Sequence, residues 1–209
     1  VGETVLTVAT LFWQPNGKSR DFSRCYDETW VEKLYRGFRR NLTLPFRFIC
    51  FVDRSYSFAG ADIEQQRIKA PHPDYGTCIE PYRLGVPMIL VGLDTIVSGN
   101  IDHLAEYCLT ADRFALPRDP YHPAIVCNGV ALVPSGHEKI ATQHRDENDM
   151  EWVRRFPHRV IDDLWAGQVV SYKGHVEKRG LGDARIVYFH GQKKPHQLPH
   201  VDWIKEHWV

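Results

Sequence analysis

The sequence predicts an α/β protein: a doubly wound, mostly parallel sheet flanked by helices, with a smaller mixed C-terminal part. Three observations lead there. Short, β-branched apolar runs alternate with a long amphipathic stretch in the first half, the strand–helix–strand order of a parallel sheet. The second half carries shorter runs in a less regular order. No Pro/Gly/Ser-rich linker, repeat or low-complexity tract separates the two, so residues 1–209 read as one domain whose halves meet near residue 104.

The elements follow in order. Residues 5–13 are apolar and β-branched and predict a buried strand. Pro15, Asn16 and Gly17 mark a loop. Asp27 is placed to cap a helix running to about Asn41, with Trp30, Val31, Leu34, Tyr35, Phe38 and Leu42 as its apolar stripe and Arg36, Arg39 and Arg40 as a solvated basic face. Residues 46–52 predict a second strand ending at Asp53, residues 63–68 a third and residues 88–91 a short buried one, with 95–97 continuing extended. In such a sheet a ligand sits beyond the carboxyl ends of the strands, here near Leu11, Asp53 and Asp94. Farther on, residues 125–133, 168–172 and 184–190 read as strands and 135–156 as a helix. Residues 201–209 predict a short terminal helix whose Trp203, Ile204 and Trp208 pack down or meet another copy; oligomeric state is open.

Composition excludes several classes. Lys plus Arg is 26 and Asp plus Glu is 26, a net charge of zero, which lacks the basic excess of a general nucleic-acid binder. Hydrophobic residues at 43% and charged residues at 25% exclude wholesale disorder. The longest apolar run, residues 86–93, contains Pro87 and Gly92 and is too short to span a bilayer. No charged-then-apolar leader opens the sequence. Five cysteines (25, 50, 78, 108 and 127) without C-x-x-C spacing point to a reducing, cytoplasmic compartment. The histidines are scattered, with neither H-E-x-x-H nor zinc-finger spacing.

Two stretches carry chemistry. In residues 88–104, a buried strand delivers Asp94 to its carboxyl end. A carboxylate there suits a divalent metal bridging a diphosphate; an aspartate capping a turn is the plain alternative. In residues 184–196, a strand leads into His190, Gly191, Lys193, Lys194 and Pro195. Histidine offers a metal ligand, glycine a close backbone approach and lysine a charge for a leaving phosphate. A solvated basic turn is the plain alternative.

Taken together and in order, these stretches resemble the GT-A type glycosyltransferases, most nearly the glycogenin and bacterial galactosyltransferase family with its small bacterial and phage relatives. The resemblance rests on Gly92-Leu93-Asp94-Thr95 followed by Ile96-Val97-Ser98-Gly99-Asn100-Ile101-Asp102, against a family D-L-D-T, an apolar strand and G-x-I/L-D. It extends through the strand at 5–13, through Asn41-Leu42-Thr43-Leu44-Pro45 with the strand at 46–53, and through Asn128-Gly129-Val130. It continues through Asp149-Met150-Glu151-Trp152, Val169-Val170-Ser171-Tyr172-Lys173 and His190-Gly191…Lys194-Pro195.

The resemblance implies a GT-A, Rossmann-like fold with residues 1–104 as the nucleotide-binding half and 105–209 as the acceptor and metal half. It implies sugar transfer from a nucleotide sugar, of the UDP class, to a glycan or other hydroxyl acceptor with retention of configuration. Asp94 and His190 would hold Mn²⁺ or Mg²⁺. Thr10, Leu11, Arg83, Asp94, Asn128, Gly191 and Lys194 would bind the donor, and Asp149, the catalytic residue, would face the reaction centre to orient sugar hydroxyls or stabilise positive charge at the anomeric carbon. Three positions depart from the family: Gly92 replaces the first aspartate of D-x-D, Met150 replaces a glutamine, and Tyr188 stands where the metal-binding histidine often lies. A degenerate relative that binds a nucleotide or glycan without turnover, and a metal-dependent nucleotide or phosphate hydrolase, are the alternative readings.

Overall fold

In a computed structural model, residues 5–59 and 62–209 are described. The first four residues, where a leader would begin, lie outside that range. The central strand β1 (Leu6–Phe12) is buried along its whole length. A strand covered on both faces calls for a nearly continuous apolar run, here broken only by the small residues Thr7 and Thr10. Its even-numbered residues Leu6, Val8 and Phe12 face one core cluster, and Ala9 and Leu11 face the other.

From β1 the chain crosses over through helix α1 (Glu28–Asn41). Asp27 caps that helix by accepting from the Thr29 N–H at 2.9 Å. Trp30, Val31, Leu34 and Phe38 bury the predicted stripe. The opposite face is not simply solvated. Arg36 Nε donates to the Val209 carbonyl at 2.9 Å, Arg40 Nη2 donates to the His207 carbonyl at 2.7 Å, and the Lys33 ammonium lies 3.8 Å over the Trp208 ring. The basic face thus fastens the C-terminal segment to the helix, so Trp208 packs within the chain, 4.9 Å from the Trp30 ring.

Strands β2 (Phe46–Val52), β3 (Ile63–Arg67) and β4 (Met88–Val91) follow. β1 pairs parallel with β2 and with β4, and β2 pairs parallel with β3. The next extended piece, β5 (Thr95–Val97), leaves this sheet, and helix α2 (Asp102–Thr110) and strand β6 (Ala115–Leu116) come after it. β7 (Val130–Val133) returns antiparallel against β4. The strand expected over 125–133 is shorter because Asn128 and Gly129 turn the chain; Val126 makes only an isolated bridge to Arg118.

The helix expected over 135–156 is two short ones, α3 (Lys139–Thr142) and α4 (Asp149–Val153). Five consecutive polar residues, Arg145 to Asp149, interrupt any apolar stripe. Asn148 then starts a new helix by accepting from the Met150 N–H at 3.1 Å. Strand β8 (Arg159–Val160) and helix α5 (Ile161–Leu164) complete the large sheet, whose order is β3-β2-β1-β4-β7-β6-β8.

A second sheet holds β9 (Val169–Ser171) and, after the short helix α6 (Glu177–Arg179), β10 (Ile186–Tyr188), in the order β5-β10-β9. Helix α7 (Asp202–His207) closes over it through Ile204. The largest buried cluster draws on both halves, from Leu6 to Tyr188. Among the described residues all five cysteines are free, and no helix is long and apolar enough to cross a membrane.

Candidate functional site

The strand order turns at β1 and β4, and the chain leaves the carboxyl ends of these two strands in different directions. Such a switch point opens a crevice. Here it is a cavity of about 610 Å³, floored by Leu11, Phe12 and the segment Gly92–Asp94 and walled by the end of β10 and by α4. That volume suits a ligand of nucleotide-sugar size. Of the residues singled out in the sequence, Leu11, Asp94, Asn128, Asp149, His190, Gly191 and Lys194 all line it.

Two expected residues fall elsewhere. Thr10 is fully buried within β1 on the face away from Leu11, and its hydroxyl has no hydrogen-bond partner. Arg83 lies at the end of a 3-10 helix, Tyr75–Leu84, outside the cavity. It pairs with Glu80 at 2.8 Å, donates to the Arg67 carbonyl at 2.6 Å and stacks over the Phe51 ring. Its basic side chain fastens that helix to the sheet, because the 3-10 turns rotate residue 83 towards β3.

Asp94 ends the Gly92–Asp94 turn with its carboxylate almost wholly buried. Its Oδ2 accepts a hydrogen bond from the Tyr26 hydroxyl at 2.9 Å and forms an ion pair with the Lys194 ammonium, whose side chain is only 3% exposed. The Phe22 and Tyr26 rings flank that ammonium at 5.4 and 5.5 Å, a cation–π setting. Lys194 reaches Asp94 because Gly191, at φ 69°, turns the chain sharply after β10. Burial and the neighbouring Asp94 charge push the Tyr26 hydroxyl far above its ordinary value, so it stays a donor. A buried pair of this kind costs much to break from one side only.

The facing carboxylate is held differently. Asp149 is the first residue of α4, not its cap, and is 9% exposed. Its Oδ2 accepts from Asn128 Nδ2 at 3.0 Å, and no cation pairs with it among the described residues. Burial, outweighing the Asn128 bond, raises its pKa above the usual carboxylate value. Asn128 is brought in by the turn before β7. Gly129 is required there, since a Cβ would come within 2.6 Å of the Tyr188 ring. The Asn128 Oδ1 is buried without a partner, an acceptor that a ligand hydroxyl would satisfy. The amide orientation is fixed by Asp149, which can only accept.

His190 shares a 2.7 Å hydrogen bond with Ser171 Oγ and meets the Tyr121 ring edge-on at 5.6 Å. Burial, reinforced by Lys173, lowers its pKa, so it is a neutral imidazole. Asp94 and His190 offer a resident cation few ligands. Among the described residues no third His, Cys, Asp or Glu converges with them. Asp94 Oδ2 is already occupied by an ammonium and a hydroxyl. A hard cation prefers several carboxylate oxygens, and here a single carboxylate already shares its Oδ2 with an ammonium.

Sequence reasoning missed Tyr26, Trp13, Phe22, Arg20 and Tyr75 on the cavity wall. They belong to loops, element ends or the short 3-10 turn Asp21–Ser23, where periodicity carries no signal; only their aromatic and basic chemistry marks them.

No protein-family profile and no curated protein sequence matches the chain. Solved structures do. The glycosyltransferase GlyE of Streptococcus pneumoniae TIGR4 superposes at a TM-score of 0.60 with 12% identity over 94% of this chain and 57% of its own. Its apo form gives 0.56 with 12% identity over 92% and 56%. The bifunctional glycosyltransferase WbbM, in its apo form, gives 0.58 with 11% identity over 93% and 47%. The chain therefore has the GT-A-like fold of glycosyltransferases, and it spans about half the length of the structures it matches.

Proposed function

We propose that this chain is a glycosyltransferase that moves a sugar from a nucleotide-sugar donor, of the UDP class, to the hydroxyl of a glycan or other acceptor. One observation carries the reading. A buried ammonium, Lys194, and a buried carboxylate without a cationic partner, Asp149, line one cavity at the switch point of the sheet. A leaving diphosphate needs positive charge beside it, and the anomeric carbon it leaves needs negative charge.

In the transfer, the bond from C1 of the sugar to the diphosphate oxygen breaks and its electron pair leaves with the diphosphate. The acceptor oxygen forms the new bond to C1 on the same face, so configuration is retained, and its proton passes to a phosphate oxygen. Lys194, with the backbone at Gly191, holds the diphosphate. Leu11 and Trp13 form the apolar floor for the nucleobase. Asn128 accepts from a sugar hydroxyl and steadies Asp149, which stabilises the charge developing at C1. Tyr75 and Tyr121, 43% and 50% exposed, stand at the cavity as platforms for a sugar acceptor.

The site argues against hydrolysis. A two-metal phosphate hydrolase needs several convergent carboxylates, and no group of three metal-ligating residues exists among the described residues. Burial raises the thiols of Cys78 and Cys127, so neither cavity sulfur serves as a nucleophile at neutral pH.

Incubation with UDP-, GDP- and CMP-sugars, with and without acceptor glycans, tests the reading through nucleotide release and thermal shift. Release that needs an acceptor is expected. Rapid release without acceptor would indicate a hydrolase, and a shift without release a binding protein. Neither shift nor release with any donor would overturn the donor site.

A further inference from the structure

We propose that the cavity binds its donor diphosphate without a divalent cation, the Lys194 ammonium supplying the positive charge. This rests on the nucleotide-sugar reading above and deepens it.

Three features of the structure lead to this. The turn at the end of β4 presents one carboxylate, Asp94, where a hard cation would need more, and Gly92 contributes none. One oxygen of that carboxylate is engaged: Oδ2 accepts from Tyr26 and pairs with Lys194. A dication placed on Asp94 would meet the Lys194 charge in a poorly solvated wall, where repulsion is weakly screened. The third feature is the histidine, whose Nε2 is engaged with Ser171 Oγ at 2.7 Å.

Positive charge is nonetheless in place for an anion. An ammonium has three donors, and Asp94 takes one, which leaves two for phosphate oxygens. Arg20, on the same cavity and without an ion pair among the described residues, adds a second cation at the open side. Asp94 then has a positioning role: together with the two aromatic rings it fixes the ammonium at the point where the leaving group's charge develops. Because the pair is pre-formed, little reorganisation accompanies donor binding.

Gly92 makes the idea reversible. Its φ is not in the left-handed region, and an added Cβ would meet only Asp94 Oδ1, at 3.1 Å. A carboxylate introduced there stands beside Asp94 and restores a two-carboxylate site.

The test is calorimetric titration of the full chain with UDP, GDP and CDP, in EDTA and in Mn²⁺, alongside Mn²⁺ alone followed by electron paramagnetic resonance. The expected result is a nucleotide whose Kd in EDTA and in Mn²⁺ agrees within about twofold, with free Mn²⁺ unbound. Lys194→Met should weaken that nucleotide in EDTA by roughly tenfold to a hundredfold, and Lys194→Arg should retain most of the affinity. If Lys194→Met does not fold, the Lys194→Arg and wild-type titrations still decide. Gly92→Asp should bind Mn²⁺ alone and make nucleotide affinity metal-dependent. Nucleotide binding by the wild type that disappears in EDTA, or Mn²⁺ bound in the absence of nucleotide, would overturn the metal-free site while leaving the donor reading intact. No nucleotide bound under either condition would overturn the donor reading and this inference with it.

Discussion

Two buried aspartates face one cavity, and they are built in opposite ways. Asp94 is neutralised by the Lys194 ammonium and bonded by Tyr26; Asp149 has only the Asn128 amide. The first arrangement spends its negative charge to hold a cation still. The second keeps a negative charge under strain of desolvation, which raises its pKa. Together they give the cavity a positive pole and a negative pole, the polarity a departing diphosphate and an electron-poor anomeric carbon require. The zero net charge of the chain conceals this local separation.

The two poles should respond differently to mutation. Asp94→Ala leaves a buried ammonium unpaired and should cost about 3–5 kcal/mol, seen as a fall in Tm on the order of 10 °C for a chain of this size. The double variant Asp94→Ala/Lys194→Met should recover part of that loss. A single variant as stable as wild type would mean the pair is not buried as described.

Asp149→Asn should do the reverse, lowering transfer by roughly 10²–10³-fold while Tm at neutral pH stays level or rises. The carboxyl titrates above its ordinary value of 3.8 in the folded state. Its protonated form is therefore favoured by folding; that stabilisation is present at low pH and is lost as pH rises through the folded value. Asparagine has no proton to lose, so the variant's thermal stability should depend less on pH in the acidic range. A pH profile identical to wild type would place Asp149 in solvent.

The sequence disclosed the two poles unequally. Strands β1, β2 and β4 could be read directly, because strands buried on both faces are predominantly apolar and β-branched runs. Helix α1 was marked by its cap and stripe. Asp94 and Lys194 are separated by 100 residues, so no local pattern joins them; only the resemblance of the His190–Pro195 segment to a family motif suggested a shared site. Tyr26 was invisible, lying 68 residues from the carboxylate it bonds. Arg83 was placed at the donor by its family position upstream of β4, and the 3-10 helix before β4 turns it away from the cavity. Residues 145–149 read as the charged side of one helix over 135–156, yet the chain turns at Asn148 and sinks Asp149.

Smaller effects sharpen the contrast. Tyr26→Phe removes one hydrogen bond from a carboxylate that keeps its ion pair, and should cost about 1–2 kcal/mol, measured by urea denaturation; an unchanged midpoint would detach Tyr26 from the positive pole. Arg83→Ala should change nucleotide Kd by less than about twofold and lower stability by about 1–2 kcal/mol, since it loses a mostly buried pair and a bond to a carbonyl. A large loss of nucleotide affinity there would return Arg83 to the donor site.

The most direct measurement is a crystal structure of the chain with UDP grown in EDTA. The account predicts the diphosphate within hydrogen-bond distance of Lys194 Nζ, beside Gly191, with Asp149 across the cavity on the side where the sugar begins. A diphosphate lodged elsewhere, with the Asp94–Lys194 pair untouched, would contradict it.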